Sequence, residues 1–225
     1  MFLAVDTVFD QCSVAVVDKD LQILSCHTEP GKREQTQLVL PMIEAALQEA
    51  GVKLGDITAL IFNRGPGPFS GIRINTAVVQ ALSVAHNISC VGVSSLSAIA
   101  QAAFDEQDLE QVYVAFDARM KQVYFAQYQL DSTTQVMSLT EGTNEQLLDY
   151  DQGTDLALPI VGNGAELLTA QQDQPLYADI QPDAATLAKL GVAQYLQHGG
   201  VPAEQALPVY LRNDAWKTLK EQGKA

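Results

Sequence analysis

Three strand-like segments lie within the first thirty residues, and their close spacing constrains the fold more than any other feature. Phe2–Asp6 is an apolar run that ends in an aspartate, and Cys12–Asp18 and Gln22–Glu29 are two further strand-like runs. The turn Asp18–Asp20 joins the second run to the third. Because connections this short leave no room for a crossover, the pattern predicts an antiparallel meander of three strands.

The hydrophobic period changes after the third strand. From Glu34 to Ala50 apolar residues recur at helical spacing, and Gly51 follows where a helix C-cap is expected. The next predicted elements are a strand at Thr58–Asn63, a helix at Ile72–Ala85, a strand at Cys90–Val93 and a helix at Ser94–Phe104. Three antiparallel strands followed by this alternation predict an α/β fold, a mixed ribonuclease-H-like sheet with helices on its faces.

The second half of the chain repeats this order more loosely. Val112–Arg119 and Gln122–Leu130 predict a hairpin. The remaining predictions are a strand near Val136–Leu139, a helix near Asn144–Tyr150, a strand at Leu156–Val161, helices at Ala165–Gln171 and Asp183–Gln197, and a closing segment Pro208–Arg212 with a helical tail from Asn213. We therefore expect two lobes: residues 1–103 plus 208–225, and a degenerate second lobe over residues 104–207.

The charge balance disfavours several kinds of partner. The 225 residues include 13 Lys and Arg against 27 Asp and Glu, a net charge of −14. Broad contact with nucleic-acid phosphates or with an anionic membrane surface is therefore not expected. The stretch from Gln122 to Ala188 carries no Lys or Arg, so contact with nucleic acid is least expected there. No apolar run approaches the ~20 residues of a membrane span and no secretory leader is recognisable, so we expect a cytoplasmic protein.

Potential metal ligands are sparse. Cys12, Cys26 and Cys90 stand at wide spacing in apolar segments, which is typical of reduced, buried thiols. The three histidines are scattered, and neither His-x-x-x-His nor Cys-x-x-Cys occurs. We therefore expect no metal site and no intrinsic cofactor.

Two short segments are candidates for contact with an anion, and each also has a structural explanation. Asp6 and Thr7 end the first strand and open a hairpin whose backbone amides can face a phosphate, although a turn-capping Asp-Thr pair explains them more simply. Arg33 opens the polar segment Arg33–Gln37 at the start of the first predicted helix. This segment is either a solvated helix start or a polar patch that faces the cleft between the lobes.

The segment Arg64–Arg73 is the most unusual in the chain. It reads Arg-Gly-Pro-Gly-Pro-Phe-Ser-Gly-Ile-Arg and lacks the Gly-Lys-Ser/Thr of a Walker A loop. Its glycines permit close approach of the backbone, its prolines stiffen the loop, and Ser70 stands where a helix N-cap is expected. A structural or partner-binding role and an anion-binding role both remain open. The candidate anion-binding residues of this loop are Gly65, Gly67, Ser70, Gly71 and Arg73.

Taken together, these segments closely resemble the bacterial TsaB (YeaZ) family of the tRNA threonylcarbamoyladenosine machinery. The matching blocks are Leu3–Thr7, Arg33–Gln37, Leu40–Met42, Arg64–Arg73, Val91–Leu96, Asp117–Met120, Val123–Tyr124 and Pro208–Arg212. The family usually has Ser at Pro68, Thr at Ser70 and His at Gln35. Because Pro68 removes a backbone donor and a hydroxyl, it weakens any grip of this loop on phosphate.

The resemblance implies an actin-like (ASKHA) two-lobed fold and a catalytic paralogue, TsaD, that looks like this chain. TsaD-type subunits carry a His-x-x-x-His metal motif on the segment after Val-Gly-Val. The corresponding positions here fall near Ser95 and Ile99, and an isoleucine cannot ligate a metal. The resemblance thus implies a subunit without catalytic residues. It would bind and support the transferase that moves threonylcarbamoyl from its adenylate to N6 of adenosine 37 in ANN-decoding tRNAs.

The resemblance also implies where partners bind. In this family the first-lobe helices form an apolar interface with TsaD, or a homodimer in its place. The candidate interface residues are Leu38, Leu40, Met42, Ile43, Leu47, Ile74, Val78, Val79, Leu82 and Val84, although a fully enclosed core explains the same residues. A TsaC-type synthetase would make the adenylate, and a TsaE-type ATPase would dock near the shared interface. ATP or ADP, metal and most tRNA contacts are expected on these partners or at the shared interface.

Two enzymatic alternatives remain open. A stand-alone actin-like ATPase or kinase would use Asp6 and the Gly65–Gly71 loop, and magnesium-dependent ATP turnover by the isolated chain would reveal it. A glycopeptidase-like metalloprotease, suggested by older naming of related proteins, would need a nucleophile–histidine pair or a metal set. The sequence offers neither.

Overall fold

The first lobe is built on a five-stranded mixed sheet in this computed structural model, which describes residues 1–31, 34–152, 156–169 and 173–212. Its strands are β1 (Phe2–Asp6), β2 (Gln11–Val17), β3 (Ile23–Pro30), β4 (Ala59–Gly65) and β5 (Ser89–Ser94). The order is β3-β2-β1-β4-β5. The first three strands pair antiparallel, and β4 and β5 run parallel to β1, which confirms the predicted meander and mixed sheet.

The second lobe is built on a six-stranded sheet. Its strands are β6 (Gln111–Asp117), β7 (Gln122–Asp131), β8 (Val136–Leu139), β9 (Gln146–Asp149), β10 (Ile160–Val161) and β11 (Leu176–Tyr177). The main order is β11-β10-β6-β7-β8, and β9 also pairs with β7. The pairs β6–β7 and β7–β8 are antiparallel, whereas β10 and β11 run parallel to β6.

The two sheets share one topology. Strands β6, β7, β8, β10 and β11 take the places that β1, β2, β3, β4 and β5 take in the first sheet. In the described part of the second lobe, β9 and two single-turn 3₁₀ helices, Tyr150–Gln152 and Ala165–Leu167, stand where the first lobe has long helices. The fold is therefore the predicted two-lobed, actin-like arrangement with a degenerate second lobe.

Two helices cover the outer face of the first sheet. They are α1 (Gln35–Glu49) and α2 (Phe69–His86). Alternate strand residues point at them, because successive side chains of a strand lie on opposite faces. One apolar cluster contains Leu3, Val5, Val14, Val16, Val39, Ile43 and Val79. Gly51 follows α1 with φ +68°, as the predicted C-cap requires.

Two further helices lie between the sheets and join the lobes into one core. Helix α3 (Ser95–Gln107) follows β5 but packs on β6, β7 and β8, while α4 (Ala184–His198) packs on β1, β2, β4 and β5. A Cβ at Gly191 of α4 would lie 2.4 Å from Ile61 Cγ2, so only glycine allows this approach to β4. Each of these helices packs on the sheet of the opposite lobe. The predicted lobe boundaries at residues 103 and 207 therefore stay a prediction.

Several predictions for the second lobe are wrong. Asn144–Tyr150 contains the edge strand β9 and no helix, because Leu147 and Leu148 pair with β7. Of the strand predicted at Leu156–Val161, only Ile160 and Val161 pair. The helix predicted at Ala165–Gln171 is one 3₁₀ turn over residues 165–167, and residues 170–172 lie outside the described residues, as does the helical tail from Asn213.

The cysteine prediction holds in part. Cys12 and Cys90 are buried thiols, but Cys26 is exposed because it lies on the edge strand β3. Within the described ranges, every helix is too short or too polar to cross a membrane.

Candidate functional site

The helix α2, which follows the Gly/Pro loop after β4, begins earlier than predicted. Helix α2 starts at Phe69, three residues before the predicted Ile72, and its N-cap residue is Pro68 with no side-chain cap. Ser70 therefore lies exposed within the first turn, so its assignment as N-cap is wrong. The physical reason is that Pro68, with its fixed φ, already provides the extended residue that precedes a helix.

The glycines of this loop are required by contacts with protein atoms. A Cβ at Gly71 would lie 2.3 Å from the carbonyl oxygen of Thr7, and the Thr7 hydroxyl donates to the Gly71 carbonyl at 2.7 Å. A Cβ at Gly67 would lie 2.5 Å from Val8 Cγ1 and 3.1 Å from Phe116 Cε1. The start of α2 thus packs directly on the turn after β1, and the loop reaches across to the second lobe.

The carboxylate of Asp6 is buried and fully engaged. It accepts the Val8 amide at 2.7 Å through Oδ1 and the Asn63 carboxamide at 3.0 Å through Oδ2. Burial raises the pKa of Asp6 to about 6, and these two hydrogen bonds oppose the shift because they favour the ionised form. Asp6 therefore ties β1 to β4.

Asn63 is the centre of this buried network, and the sequence analysis missed it. Its side-chain oxygen accepts the Gly65 amide at 2.9 Å and the Ser95 hydroxyl at 2.7 Å. Its main-chain carbonyl accepts the Asn75 carboxamide at 3.0 Å. The available signal was an amide side chain at the end of the apolar run Ala59–Phe62, since a buried amide needs several partners.

The Ser95 and Ile99 positions are closed to a metal. Ser95 is fully buried with its hydroxyl committed to Asn63, and Ile99 packs in the core cluster. Among the described residues, no group of three or more His, Cys, Asp or Glu side chains is arranged to hold a metal ion.

A cleft of about 940 Å³ separates the lobes. Of the predicted anion-binding residues, Gly67, Ser70 and Arg73 line it, whereas Asp6, Thr7, Gly65 and Gly71 do not. Arg33 lies outside the described residues. The structure thus brings part of the predicted set to the cleft and commits Asp6, Thr7, Gly65 and Gly71 to internal packing.

The rim of the cleft carries aromatic and cationic side chains. The Arg73 guanidinium lies 3.7 Å from the Phe69 ring centroid, and its Nε donates to the Tyr210 hydroxyl at 3.2 Å. Arg212 donates through Nη2 to the carbonyls of Ala118 and Arg119, at 3.1 and 3.3 Å. Two of the motif blocks, Asp117–Met120 and Pro208–Arg212, therefore meet at this rim.

Arg212 supports an unusual turn. Arg119, Met120 and Lys121 all have φ between +55° and +61°, and such left-handed residues rarely occur in series. The Asp117 carboxylate accepts the Arg119 amide at 2.8 Å and pairs with its guanidinium at 2.7 Å. The backbone of this turn is strained, and the guanidinium of Arg212 supports it by hydrogen bonding to two of its main-chain carbonyls.

A second contact between the lobes is centred on Glu145. Its Oε1 accepts hydrogen bonds from the Ser94 and Tyr128 hydroxyls, the latter at 2.8 Å, and its Oε2 lies 3.8 Å from Arg64. Tyr128 is fully buried, and burial raises its pKa well above the ordinary value. Glu145 therefore links β4 and β5 of one lobe to β7 of the other.

The outer helices carry the predicted partner interface. Met42, Ile43 and Val79 are buried against the first sheet and belong to the core of this chain. Five more of the predicted residues are half-buried beside that core: Leu38, Leu47, Ile74, Val78 and Leu82. Two predicted residues are exposed, Leu40 of α1 and Val84 of α2. Ala77, Ala81 and Ala85, which the sequence analysis did not select, extend the exposed apolar surface of α2.

Comparisons with known proteins agree with this architecture. A family model described as "TsaD: tRNA N6-adenosine threonylcarbamoyltransferase" matches residues 23–219. The solved structure titled "YeaZ from Pseudomonas aeruginosa" superposes with a TM-score of 0.84 at 37% identity, covering 93% of this chain and 99% of that one. The Escherichia coli tRNA threonylcarbamoyladenosine biosynthesis protein TsaB is 34% identical over 96% of this chain and 97% of its own length. The chain belongs to the TsaB family.

Other members support this assignment over nearly the full chain. The Haemophilus influenzae TsaB is 32% identical and covers 96% of both sequences. The match to the TsaD family model begins at β3 and extends past the end of α4, so this TsaB-family chain is similar in sequence to the transferase family over most of its length. The predicted family resemblance is confirmed.

Proposed function

We propose that this chain is a non-catalytic subunit of the tRNA N6-threonylcarbamoyladenosine machinery. It binds a TsaD-type paralogue through α1 and α2 and supports transfer of threonylcarbamoyl to adenosine 37 of ANN-decoding tRNAs. The relatives named for threonylcarbamoyladenosine biosynthesis support the pathway. A TsaC-type synthetase supplies the adenylate, a TsaE-type ATPase docks on the complex, and tRNA is held mainly by these partners.

One observation carries the non-catalytic part of the proposal. The helix N-terminus and the β1–β2 turn, which in an actin-like ATPase would flank a phosphate, touch each other here through Thr7 and Gly71. Both oxygens of the Asp6 carboxylate accept hydrogen bonds from protein groups, Val8 and Asn63, and the side chain is buried away from the cleft. A chain with this arrangement is better suited to support a catalyst than to act as one.

The outer face of α2 supports the docking role. Between Arg73 and His86 this helix carries no ionised residue, although the chain as a whole has a net charge of −14. Its exposed residues include Ala77, Ala81 and Val84, and Val84 is 76% exposed. Small apolar residues let another helix approach closely, and a charge-depleted apolar patch is typical of the centre of a protein interface.

A reconstitution tests the proposal. The TsaD-type, TsaC-type and TsaE-type proteins are combined with unmodified tRNA and ATP, with and without this chain, and threonylcarbamoyladenosine is measured in digested tRNA. We expect modification to depend on this chain. Equal modification without it would contradict the proposal.

The alternative enzymatic functions have a separate test. The isolated chain is incubated with magnesium and ATP, and released ADP is measured. We expect no turnover above the buffer control. Turnover that is lost in Asp6→Asn would instead support a stand-alone ATPase, and metal-dependent peptide cleavage would support the protease.

A further inference from the structure

The cleft between the lobes has a floor that suits an apolar ligand. Its volume of about 940 Å³ lies in the range of small-molecule sites, which is roughly 300–1,000 Å³. The floor is formed by Val8, Phe9, Ile99, Phe116 and Ile180, all buried apolar side chains. A planar or aliphatic body would gain free energy from burial on this floor.

The rim of the same cleft carries two guanidinium groups that have no carboxylate partner among the described residues. The described ranges contain four arginines, of which Arg64 pairs with Glu145 and Arg119 with Asp117. Within the same ranges, Arg73 and Arg212 contact uncharged groups alone: an aromatic ring, a phenol hydroxyl, a thioether and main-chain carbonyls. In a chain with twice as many acidic as basic residues, two arginines left without a carboxylate at one cleft favour an anion from outside.

Both guanidinium groups are already oriented. Arg73 is held by the Phe69 ring and Tyr210, and Arg212 by the carbonyls of the β6–β7 turn. A fixed guanidinium loses little side-chain entropy when it binds a carboxylate or phosphate, and its remaining N–H donors suit the two oxygens of such a group.

The other charges of the cleft limit the size of that anion. Asp10 and Asp179 also line it, and Asp179 is exposed. Repulsion by Asp179 disfavours a polyanion such as a triphosphate, and the contact of Thr7 with Gly71 closes the place between the β1–β2 turn and α2.

We propose that the cleft is a binding site for a small organic anion. One carboxylate or phosphate monoester group is held by Arg73 and Arg212, and an apolar body rests on the floor below them. The site uses the first turns of α2, and the exposed residues Ala77, Ala81 and Val84 farther along that helix do not line it.

The test is a titration of the full-length ¹⁵N-labelled chain, followed by NMR. The compounds are 3-phenylpropionate, phenyl phosphate and the uncharged 3-phenylpropionamide. We expect saturable shifts with at least one anion, including the amides of Ala118 and Arg119, and an affinity at least fivefold higher than that of the amide compound. Tighter binding of phenyl phosphate or of 3-phenylpropionate identifies the anion as a phosphate monoester or a carboxylate, and either result supports the site.

Variants connect the binding to the named residues. Arg73→Gln and Arg212→Gln are each expected to weaken anion binding at least fivefold, whereas Lys53→Gln removes an exposed positive charge away from the cleft and should change nothing. Arg73→Gln keeps the test valid if loss of Arg212 disturbs the turn. Equal affinity for anion and amide compound, no saturable shift with either anion, or unchanged affinity in both arginine variants would overturn the proposal.

Discussion

The carboxamide nitrogen of Asn63 lies 3.0 Å from Oδ2 of Asp6, inside a core from which water is excluded. The contact joins the ends of the two parallel strands that position the Gly/Pro loop. In an actin-like ATPase an aspartate at the end of the first strand would face magnesium, whereas this one faces protein. This difference favours the proposed role as a supporting subunit.

The buried state of Asp6 predicts a pH dependence of stability. Its pKa in the fold is about 6, above the ordinary 3.8, because burial disfavours the charged form. The folded chain therefore keeps a proton that the unfolded chain releases, and this stabilisation is complete below pH 3.8 and lost as the pH rises through 6. Relative to Asp6→Asn, which cannot titrate, the wild type should gain about 1.4 kcal/mol between pH 7.5 and pH 5.0.

Urea unfolding of both proteins at the two pH values checks this expectation. The comparison does not depend on how far Asp6→Asn destabilises the fold, because only the change with pH counts. Asp20→Asn, which removes an exposed carboxylate, is the control. A wild-type minus Asp6→Asn difference that is the same at both pH values would contradict the buried, raised-pKa carboxyl.

The close contact between Gly71 and Thr7 predicts that adding a single methyl group at position 71 destabilises the fold. Gly71→Ala places a Cβ 2.3 Å from a main-chain oxygen that cannot rotate away, so the helix or the turn must shift. We expect a loss of about 1–3 kcal/mol in the free energy of unfolding. Gly55→Ala, whose Cβ would meet no atom within 4 Å, is the matched control and should change stability by less than about 0.5 kcal/mol. Similar losses in both variants would argue against the close approach.

The contacts of Glu145 with Ser94, Tyr128 and Arg64 indicate that polar interactions, as well as apolar packing, hold the two lobes together. Glu145→Ala leaves the hydroxyls of Ser94 and Tyr128 without their acceptor, and Tyr128 is fully buried. We expect a loss of about 1–3 kcal/mol by urea unfolding, the cost of an unsatisfied buried donor. Glu141→Ala removes an exposed carboxylate from the same loop and should have little effect. Equal stability of the two variants would show that the contact contributes nothing.

The first lobe could be predicted from the sequence because its signals are local. The apolar runs of β1, β2 and β4 and the period of α1 place these elements within a few residues of their observed bounds. The second lobe could not, because its pairings are distant in sequence. Leu148 pairs with Val123 across twenty-five positions, and the short segment around it looks helical in isolation.

The candidate site shows the same contrast between local patterns, which the sequence reveals, and distant contacts, which it does not. The Gly/Pro loop was visible as an unusual pattern, but the sequence did not reveal that Gly71 packs on Thr7 and Gly67 on Val8. Asn63 and Arg212 act through partners far along the chain, Asp6 and Ala118, and no local pattern reveals such pairs. The helix period likewise marked apolar positions of α2 without separating the buried Val79 from the exposed Val84.

The interface itself is best probed at an exposed residue. Leu82→Glu would place a charge beside the core, since Leu82 is half-buried and packs on the apolar cluster of the first lobe. Loss of binding in that variant could follow from unfolding. Val84 is 76% exposed, so Val84→Glu should fold normally and still place an unpaired charge in an apolar interface. Leu196→Glu on α4, at a residue 67% exposed, is the matched control.

The most direct test of the supporting-subunit account is the affinity of this chain for its TsaD-type paralogue, measured by calorimetry and by co-elution in size-exclusion chromatography. The account predicts a stable complex for the wild type and for Leu196→Glu, and at least tenfold weaker binding for Val84→Glu, which corresponds to about 1.4 kcal/mol. Failure of the wild-type chain to bind the paralogue, or unchanged affinity in a correctly folded Val84→Glu, would contradict it.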